Sequence, residues 1–235
     1  MYSIPTIDSP KAIEQTALRI GILPFFRCRL SGFSIEEHTP HHLYFVKDVE
    51  GPWEWKGPVI KNGRCVYGKF FDRKAAFVDL GVYQHLANYR RSVSVLSPMA
   101  YKVLEVICAN EGLLTTDIRT ECGLDRPTSK MDILLGNNNA EQVNLDTLMM
   151  RLMMSGHVVI EDFEYKIDKR GKPYGWGVAR YTTPEILYAG RFELPNCTPK
   201  ESRDMIIEKL VETIGEENRG IAERMVMISG EKWRV

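Results

Sequence analysis

Asn144-Leu-Asp-Thr-Leu-Met-Met-Arg-Leu-Met-Met154, Ser155-Gly156, His157-Val-Val-Ile-Glu-Asp-Phe-Glu-Tyr165: within these residues a helical pattern gives way to a strand. Met149, Met150, Met153 and Met154 recur at helical spacing as a core or interface stripe, and Ser155-Gly156 stops the helix. The strand that follows faces Tyr174-Gly-Trp-Gly-Val-Ala-Arg-Tyr181 across Lys169-Arg-Gly-Lys-Pro173, which predicts a hairpin with a basic tip. Upstream, Ser97-Pro98 opens a helix whose apolar stripe reads Tyr101, Leu104, Ile107 and Cys108, ended by Gly112. Thr116-Asp-Ile-Arg-Thr-Glu-Cys122 is a short second helix stopped by Gly123. Three helices followed by a two-stranded wing predict a winged helix-turn-helix between Ser97 and Thr183.

Working outward, the fold class is α+β and mostly helical, with winged helix-turn-helix units and short β-hairpins. Three parts are expected: an N-terminal α/β region at 1–95, the winged unit at 96–190, and C-terminal helices at 191–235. Ser9-Pro10 opens an amphipathic helix to Ile20, and Ser34-Ile-Glu-Glu37 has the spacing of a capping box. Arg64–Phe71 and Ala75–Leu80 read as β-rich segments around the turn Asp72-Arg73-Lys74, and Val82–Arg91 as a helix. Thr198-Pro-Lys-Glu201 starts a long helix with the stripe Met205, Ile206, Leu210, Ile214, and a last helix runs from about Arg219 to Ile228. The C-terminal helices could close the core or pair with a second copy as a homodimer.

Composition is that of an ordinary globular chain, 44% hydrophobic and 26% charged. Lys plus Arg equals Asp plus Glu at 31 each, so any nucleic-acid surface must be local. No apolar run reaches the roughly 20 residues of a membrane helix, and the N-terminus carries no secretory pattern. The five cysteines are odd in number and far apart, as expected of reduced packing thiols in a cytoplasmic protein.

The segment 52–91 carries a local basic excess: Lys56, Lys61, Arg64, Lys69, Arg73, Lys74, Arg90 and Arg91 against Glu54, Asp72 and Asp79. Interleaved with aromatics, these cations suit a phosphate-tracking surface, and equally a solvated face over an aromatic core. Lys69, Arg73 and Lys74 are taken as DNA-binding candidates from this patch. In the winged unit Arg126, Lys130 and Arg151 are groove-side donors, and Lys166, Lys169, Arg170 and Lys172 contact phosphates near the hairpin tip. Tyr174 and Trp176 could stack on bases, or Trp176 could pin the wing to the body. The twelve carboxylates of 97–183 leave it less basic than a dedicated duplex binder, which keeps a protein-interaction role open.

Two stretches resemble the winged-helix family of the bacterial AlkZ/YcaQ DNA glycosylases. One is Tyr67-Gly-Lys-Phe-Phe-Asp-Arg-Lys-Ala-Ala-Phe-Val-Asp-Leu80 with the following Tyr-Gln-His-Leu-Ala-Asn-Tyr-Arg-Arg91; the other is Gly112-Leu-Leu-Thr-Thr-Asp-Ile-Arg119, running through Gly156-His-Val-Val159. The resemblance implies winged-helix units packed around a DNA-holding cleft. It also implies a Gln-x-Gln or Gln-x-Asp motif that polarises the attacking water. Gln15, Gln84 and Gln142 are not followed two residues later by Gln or Asp, and Lys74 stands where a family His would be matched. The catalytic role therefore does not carry over.

No GxGxxG, P-loop, GxSxG or HExxH is present, and no cofactor or metal is expected; the His38-x-x-His41-His42 run is broken by Pro40. A Cys–His nucleophile would need Cys65 or Cys108 to meet His85 or His157. Glu54, between Trp53 and Trp55, is the catalytic candidate: an indole pocket would raise its pKa, whereas a salt bridge to Lys56 or Lys69 would make it structural. The expectation is a winged-helix DNA-binding protein related in scaffold to those glycosylases and without their chemistry. The alternatives are a repair glycosylase with a divergent site and a protein-interaction module. Replacing Lys169 and Arg170 together by Ala should weaken DNA binding and flatten its salt slope; an unchanged affinity and slope would remove the wing from the interface.

Overall fold

A computed structural model describes residues 3–124, 144–171, 173–228 and 233–234, with 173, 174, 176, 233 and 234 as backbone only. Helix α1 (Pro10–Ile20) starts where the Ser9 hydroxyl accepts the Ala12 N–H and ends at Gly21, φ +84°. Strands β1 (Ile22–Pro24), β2 (Cys65–Phe71) and β3 (Lys74–Asp79) form an antiparallel sheet in the order β1-β3-β2. Between β2 and β3, Asp72 and Arg73 take left-handed φ of 47° and 62° while Phe71 pairs with Lys74. The reversal is thus a tight two-residue turn whose twist matches the strands, with Lys74 already in β3. Short α2 (Ile35–His38) and α3 (Pro52–Lys61) flank this sheet. Ser34 caps α2 as expected, but the Glu37 carboxylate takes the N–H groups of Gly32 and Phe33 and the Ser34 hydroxyl, tying down the preceding loop.

Helix α4 (Leu80–Val93) follows β3 directly, capped by Asp79, whose Oδ1 accepts the Val82 N–H at 3.1 Å. After β4 (Ser94–Val95) come α5 (Pro98–Ala109), β5 (Leu113–Leu114), α6 (Thr115–Glu121), α7 (Leu145–Met154), β6 (Val159–Ile167) and β7 (Pro173–Thr182). β6 and β7 pair antiparallel, Ile160 opposite Tyr181 and Phe163 opposite Ala179, and β5 adds to the free edge of β7. Of the expected stripe on α5, Ile107 is buried and Leu104 packs partly buried against the core, but Tyr101 and Cys108 lie outside it. Ala100, Val103 and Ile107 are buried, whereas Tyr101 is 57% exposed and Cys108 faces solvent. Spacings of three and four fit both sets, and the smaller side chains allow α5 to approach α6 and β7.

The rest is α8 (Pro184–Leu187), α9 (Pro199–Ile214), α10 (Arg219–Val226) and β8 (Trp233–Arg234), whose backbone pairs in parallel with β4. A reciprocal capping box starts α9: the Thr198 N–H donates to Glu201 Oε2 at 2.7 Å and the Glu201 N–H to Thr198 Oγ1 at 3.2 Å. Its Ile206, Ile207, Leu210, Val211 and Ile214 are buried against this chain's own α4 and α10, while Met205, expected in the stripe, is 53% exposed. The C-terminal helices therefore close the core, and homodimerisation through them is not supported. One cluster of buried residues runs from Ile4 to Val226 and includes Met149, Met150 and Met153 of α7.

Arg90 of α4 stitches this core together. It is 1% exposed, and its guanidinium donates to Val226 O (3.1 Å), Phe70 O (2.5 Å), Met154 O (3.0 Å) and Met225 O (2.9 Å). Burial lowers its pKa to about 10, so it stays charged. The neighbouring Arg91 donates twice to Gly156 O and once to Glu185. Gly156 itself has φ +80°, and a Cβ there would sit 2.9 Å from Ala87 Cα, so the end of α7 can meet α4 only as glycine. Arg90→Met keeps the volume and strips the carbonyls of their donors. It should cost about 3–5 kcal/mol in urea unfolding; a loss below about 0.5 kcal/mol would show the network to be dispensable.

Candidate nucleic-acid interface

The basic excess of 52–91 separates once side chains are placed. Lys56 and Arg90 are buried. Lys61 pairs with Asp162 of β6 at 3.0 Å, Arg64 lies 3.9 Å from Glu14, and Arg91 is held by Gly156 and Glu185. Lys69, Arg73 and Lys74 remain on the surface, Lys69 from β2 and the other two at the β2–β3 turn.

That turn overhangs a cleft of about 720 Å³ whose lining includes Arg29, Arg73, Lys74, Arg90, Arg224 and Asp72. Asp72 is the one carboxylate among the described lining residues, and it pairs with Arg29 at 3.4 Å between exposed side chains, a contact of little net strength. Lys74 Nζ donates to Arg27 O at 2.7 Å, which draws the preceding loop against the turn. Arg90 forms the floor, four of its five N–H donors occupied by main-chain carbonyls. Arg73 and Arg224 are exposed, and no described residue pairs with either. Beside the Arg27 loop, Tyr44 feels the charges of Glu36 and Arg27, and burial pushes its phenol up to about 12. Its ring meets Phe45, half exposed at φ +52°, with centroids 4.7 Å apart.

On the 97–183 unit, Arg151 lies exposed on α7, Lys166 near the far end of β6, and Lys169 and Arg170 in the β6–β7 turn. The Arg170 N–H bonds Asp168 Oδ1 at 2.8 Å, fixing the turn. Arg126, Lys130, Lys172 and the side chains of Tyr174 and Trp176 lie outside the described residues. The cleft thus gathers Arg73 and Lys74 with Arg29 and Arg224, two cations that sequence reasoning passed over. Arg29 sits in a stretch too mixed to assign and Arg224 on the last helix; neither has a local pattern that could bring them beside a turn far away in the chain.

Glu54 is exposed, and its Oε2 accepts the Gly51 N–H at 2.9 Å to cap α3. The group held against the indole is Lys56 instead. Its Nζ lies 3.1 Å from the Trp53 ring centroid and 3.9 Å from that of Phe163 on β6, with no hydrogen-bond acceptor. Burial pulls its pKa from 10.5 to about 7, against the upward pull of Glu54. A helix places residues 54 and 56 on different faces, so the residue between two tryptophans faces water while the next-but-one turns inward. His157, bonded to Ser155 Oγ at 2.9 Å, is driven to about 4 by burial and Arg91, and is neutral near pH 7. Among the described residues no three His, Cys, Asp or Glu side chains converge as a metal site, and no helix is long and apolar enough to cross a membrane.

These features define an α+β protein with a cationic cleft under a β-turn. Residues 7–226 match the AlkZ-related family, and the chain belongs to it. Membership sets the chain in a DNA-glycosylase-like relationship, in keeping with the resemblance carried by 67–91 and 112–159. No curated protein and no solved structure matches the chain.

Lys56 links folding to pH. Its folded pKa lies below its unfolded one, so the charged amine costs stability in full below about 7. That cost is relieved as pH rises toward 10.5, by at most about 1.4 kcal/mol per pH unit. Lys56→Met should therefore exceed the parent in stability most at pH 6 and least near pH 10, read from paired urea melts; a difference independent of pH would place the amine in solvent.

Proposed function

We propose that this protein binds DNA through the cleft beneath the β2–β3 turn, with the 97–183 unit acting as a winged helix beside it. The observation that carries the reading is the pair Arg73 and Arg224, exposed on one cleft with no described partner. A guanidinium presents a planar fork that matches two phosphate oxygens, so two of them lining one cleft suit a phosphodiester backbone. Arg29 would join them by exchanging its weak Asp72 partner for phosphate. Tyr44 and Phe45 supply aromatic faces near the same loop, as strand-tracking surfaces require.

In this reading the segment 1–95 contributes the turn and cleft wall. The 96–190 segment contributes the winged helix, with Arg151, Lys166, Lys169 and Arg170 on phosphates, and 191–235 closes the cleft through Arg224. Family membership supports DNA as the ligand. The missing Gln-x-Gln or Gln-x-Asp motif and the capping duty of Glu54 favour binding without the glycosylases' chemistry.

Fluorescence anisotropy on duplex and single-stranded oligonucleotides across a salt series tests this. Each phosphate contact contributes close to one unit of log–log salt slope on duplex, so Arg73→Ala with Arg224→Ala should lower the slope by about two and weaken binding at every salt. Unchanged slope and affinity, with circular dichroism intact, would exclude the cleft; no binding by the parent at low salt would exclude DNA.

A further inference from the structure

A second concavity, about 890 Å³, lies between α4 and α9, with His85 and Cys197 on its wall. Here the chain brings together four side chains that lie far apart in sequence: His85 and Asn88 from α4, Cys197 just ahead of α9, and Ser202 in its first turn. Cys65 and Cys108, the thiols expected to meet a histidine, do not take part. Ser202 is fully buried, and its Oγ accepts Asn88 Nδ2–H at 2.8 Å. The other amide hydrogen of Asn88 goes to Cys197 O at 3.1 Å, so one side chain positions both residues. The remaining contacts of Ser202 Oγ are His85 Nδ1 at 3.1 Å and Cys197 Sγ at 3.2 Å, and Sγ to Nδ1 directly is 3.9 Å. With one acceptor site filled by Asn88, the serine hydroxyl can donate its proton to the imidazole while it accepts one from the thiol.

We propose that Cys197 is a nucleophilic thiol, activated by His85 through Ser202, which reacts with small soft carbon electrophiles entering this groove. The Cys197 S–H passes its proton to Ser202 Oγ as Ser202 passes its own to His85 Nδ1, leaving a thiolate beside an imidazolium. The sulfur then forms a bond to the electrophilic carbon, and the bond from that carbon to its leaving group breaks with both electrons going to the leaving group. The product is a thioether on Cys197, with the proton on His85 or released with the departing anion. Burial holds His85 down, so at rest it is the neutral base that this step requires. Asn88 is a positioning residue.

The charged groups lining the groove are Asp79 at the start of α4 and Glu201, Asp204, Glu208, Lys209 and Glu212 along α9, with Asp204, Glu208 and Glu212 ion-paired to Arg203, Arg219 and Lys209. Three of these five carboxylates thus have a cationic partner, and Asp79 and Glu201 are left to disfavour an anion, so the groove favours neutral or cationic electrophiles. The other thiols contrast with Cys197. Cys65 and Cys122 are buried, Cys28 is partly so, and burial raises the pKa of all three, Cys65 to about 12. Cys108 is exposed and serves as an internal reference in every sample.

The test is alkylation of the whole protein by iodoacetamide and iodoacetate near neutral pH, each cysteine's rate read by peptide mass mapping. Cys197 should exceed Cys108 by about fivefold with iodoacetamide, because the Ser202–His85 relay takes its proton as the carbon–sulfur bond forms. His85→Gln and Ser202→Ala should each bring Cys197 down to the Cys108 rate or below, with buried Cys65 and Cys122 staying unreactive as a sign that the fold is intact. Iodoacetate should be disfavoured more at Cys197 than at Cys108. A Cys197 rate at or below that of Cys108 in the parent would overturn the proposal, as would a rate indifferent to His85→Gln. The outcome is independent of DNA binding.

Discussion

A guanidinium inside a protein is tolerable when most of its donors are filled, and Arg90 places four of its five N–H groups on carbonyls of three separate elements. The consequence is geometric. Strand β2, the end of α7 and the end of α10 must each present a carbonyl to the same point, which sets their mutual distances more strictly than apolar contact alone would. Apolar packing is non-directional, whereas a planar fork specifies angles as well. Arg91 extends the constraint by one residue, gripping the carbonyl of Gly156 where α7 meets α4. The cleft beneath the β2–β3 turn is what remains between elements held apart at this fixed spacing, with Arg90 as its floor.

Much of the architecture was legible because it is local. Ser9, Ser34, Ser97 and Thr198 each cap the helix that follows, and capping is decided within four residues. The paired segments around Asp72-Arg73 and around Lys169-Arg170 emerged for the same reason. What eluded the sequence was rotational phase. The helix from Pro98 buries Ala100 and Val103 and leaves Tyr101 and Cys108 exposed, and α9 leaves Met205 in solvent, since a stripe and its neighbour one residue on can satisfy the same spacing.

The site was legible in part, and the boundary is instructive. Arg73 and Lys74 are recognisable as turn cations from the polar break between two β-rich runs. Counting charges over 52–91, however, gave equal weight to Lys56 and Arg90, which are interior, and to Lys61, Arg64 and Arg91, which have carboxylate neighbours. Charge in sequence is a sum, while a binding surface depends on which members face outward uncommitted. Glu54 and Lys56 make the same point in miniature: the indole does cover a titratable group, but helical geometry selects the amine. Arg29 and Arg224 could be found only by folding, because they reach the cleft from opposite ends of the chain.

The long reach of Arg90 also bears on the order in which the chain can acquire its structure. Phe70 O lies 20 residues before Arg90 and Met154 O lies 64 after it, but Met225 O and Val226 O lie 135 and 136 residues downstream. During synthesis from the N-terminus, the first sheet and α4 emerge with one of this side chain's four acceptors in place, and so with a reason to stay hydrated. The core is sealed only when the segment carrying the last two acceptors leaves the ribosome. A partly made chain is thereby kept from closing prematurely around a charge it cannot yet accommodate, and final compaction is tied to the arrival of α10.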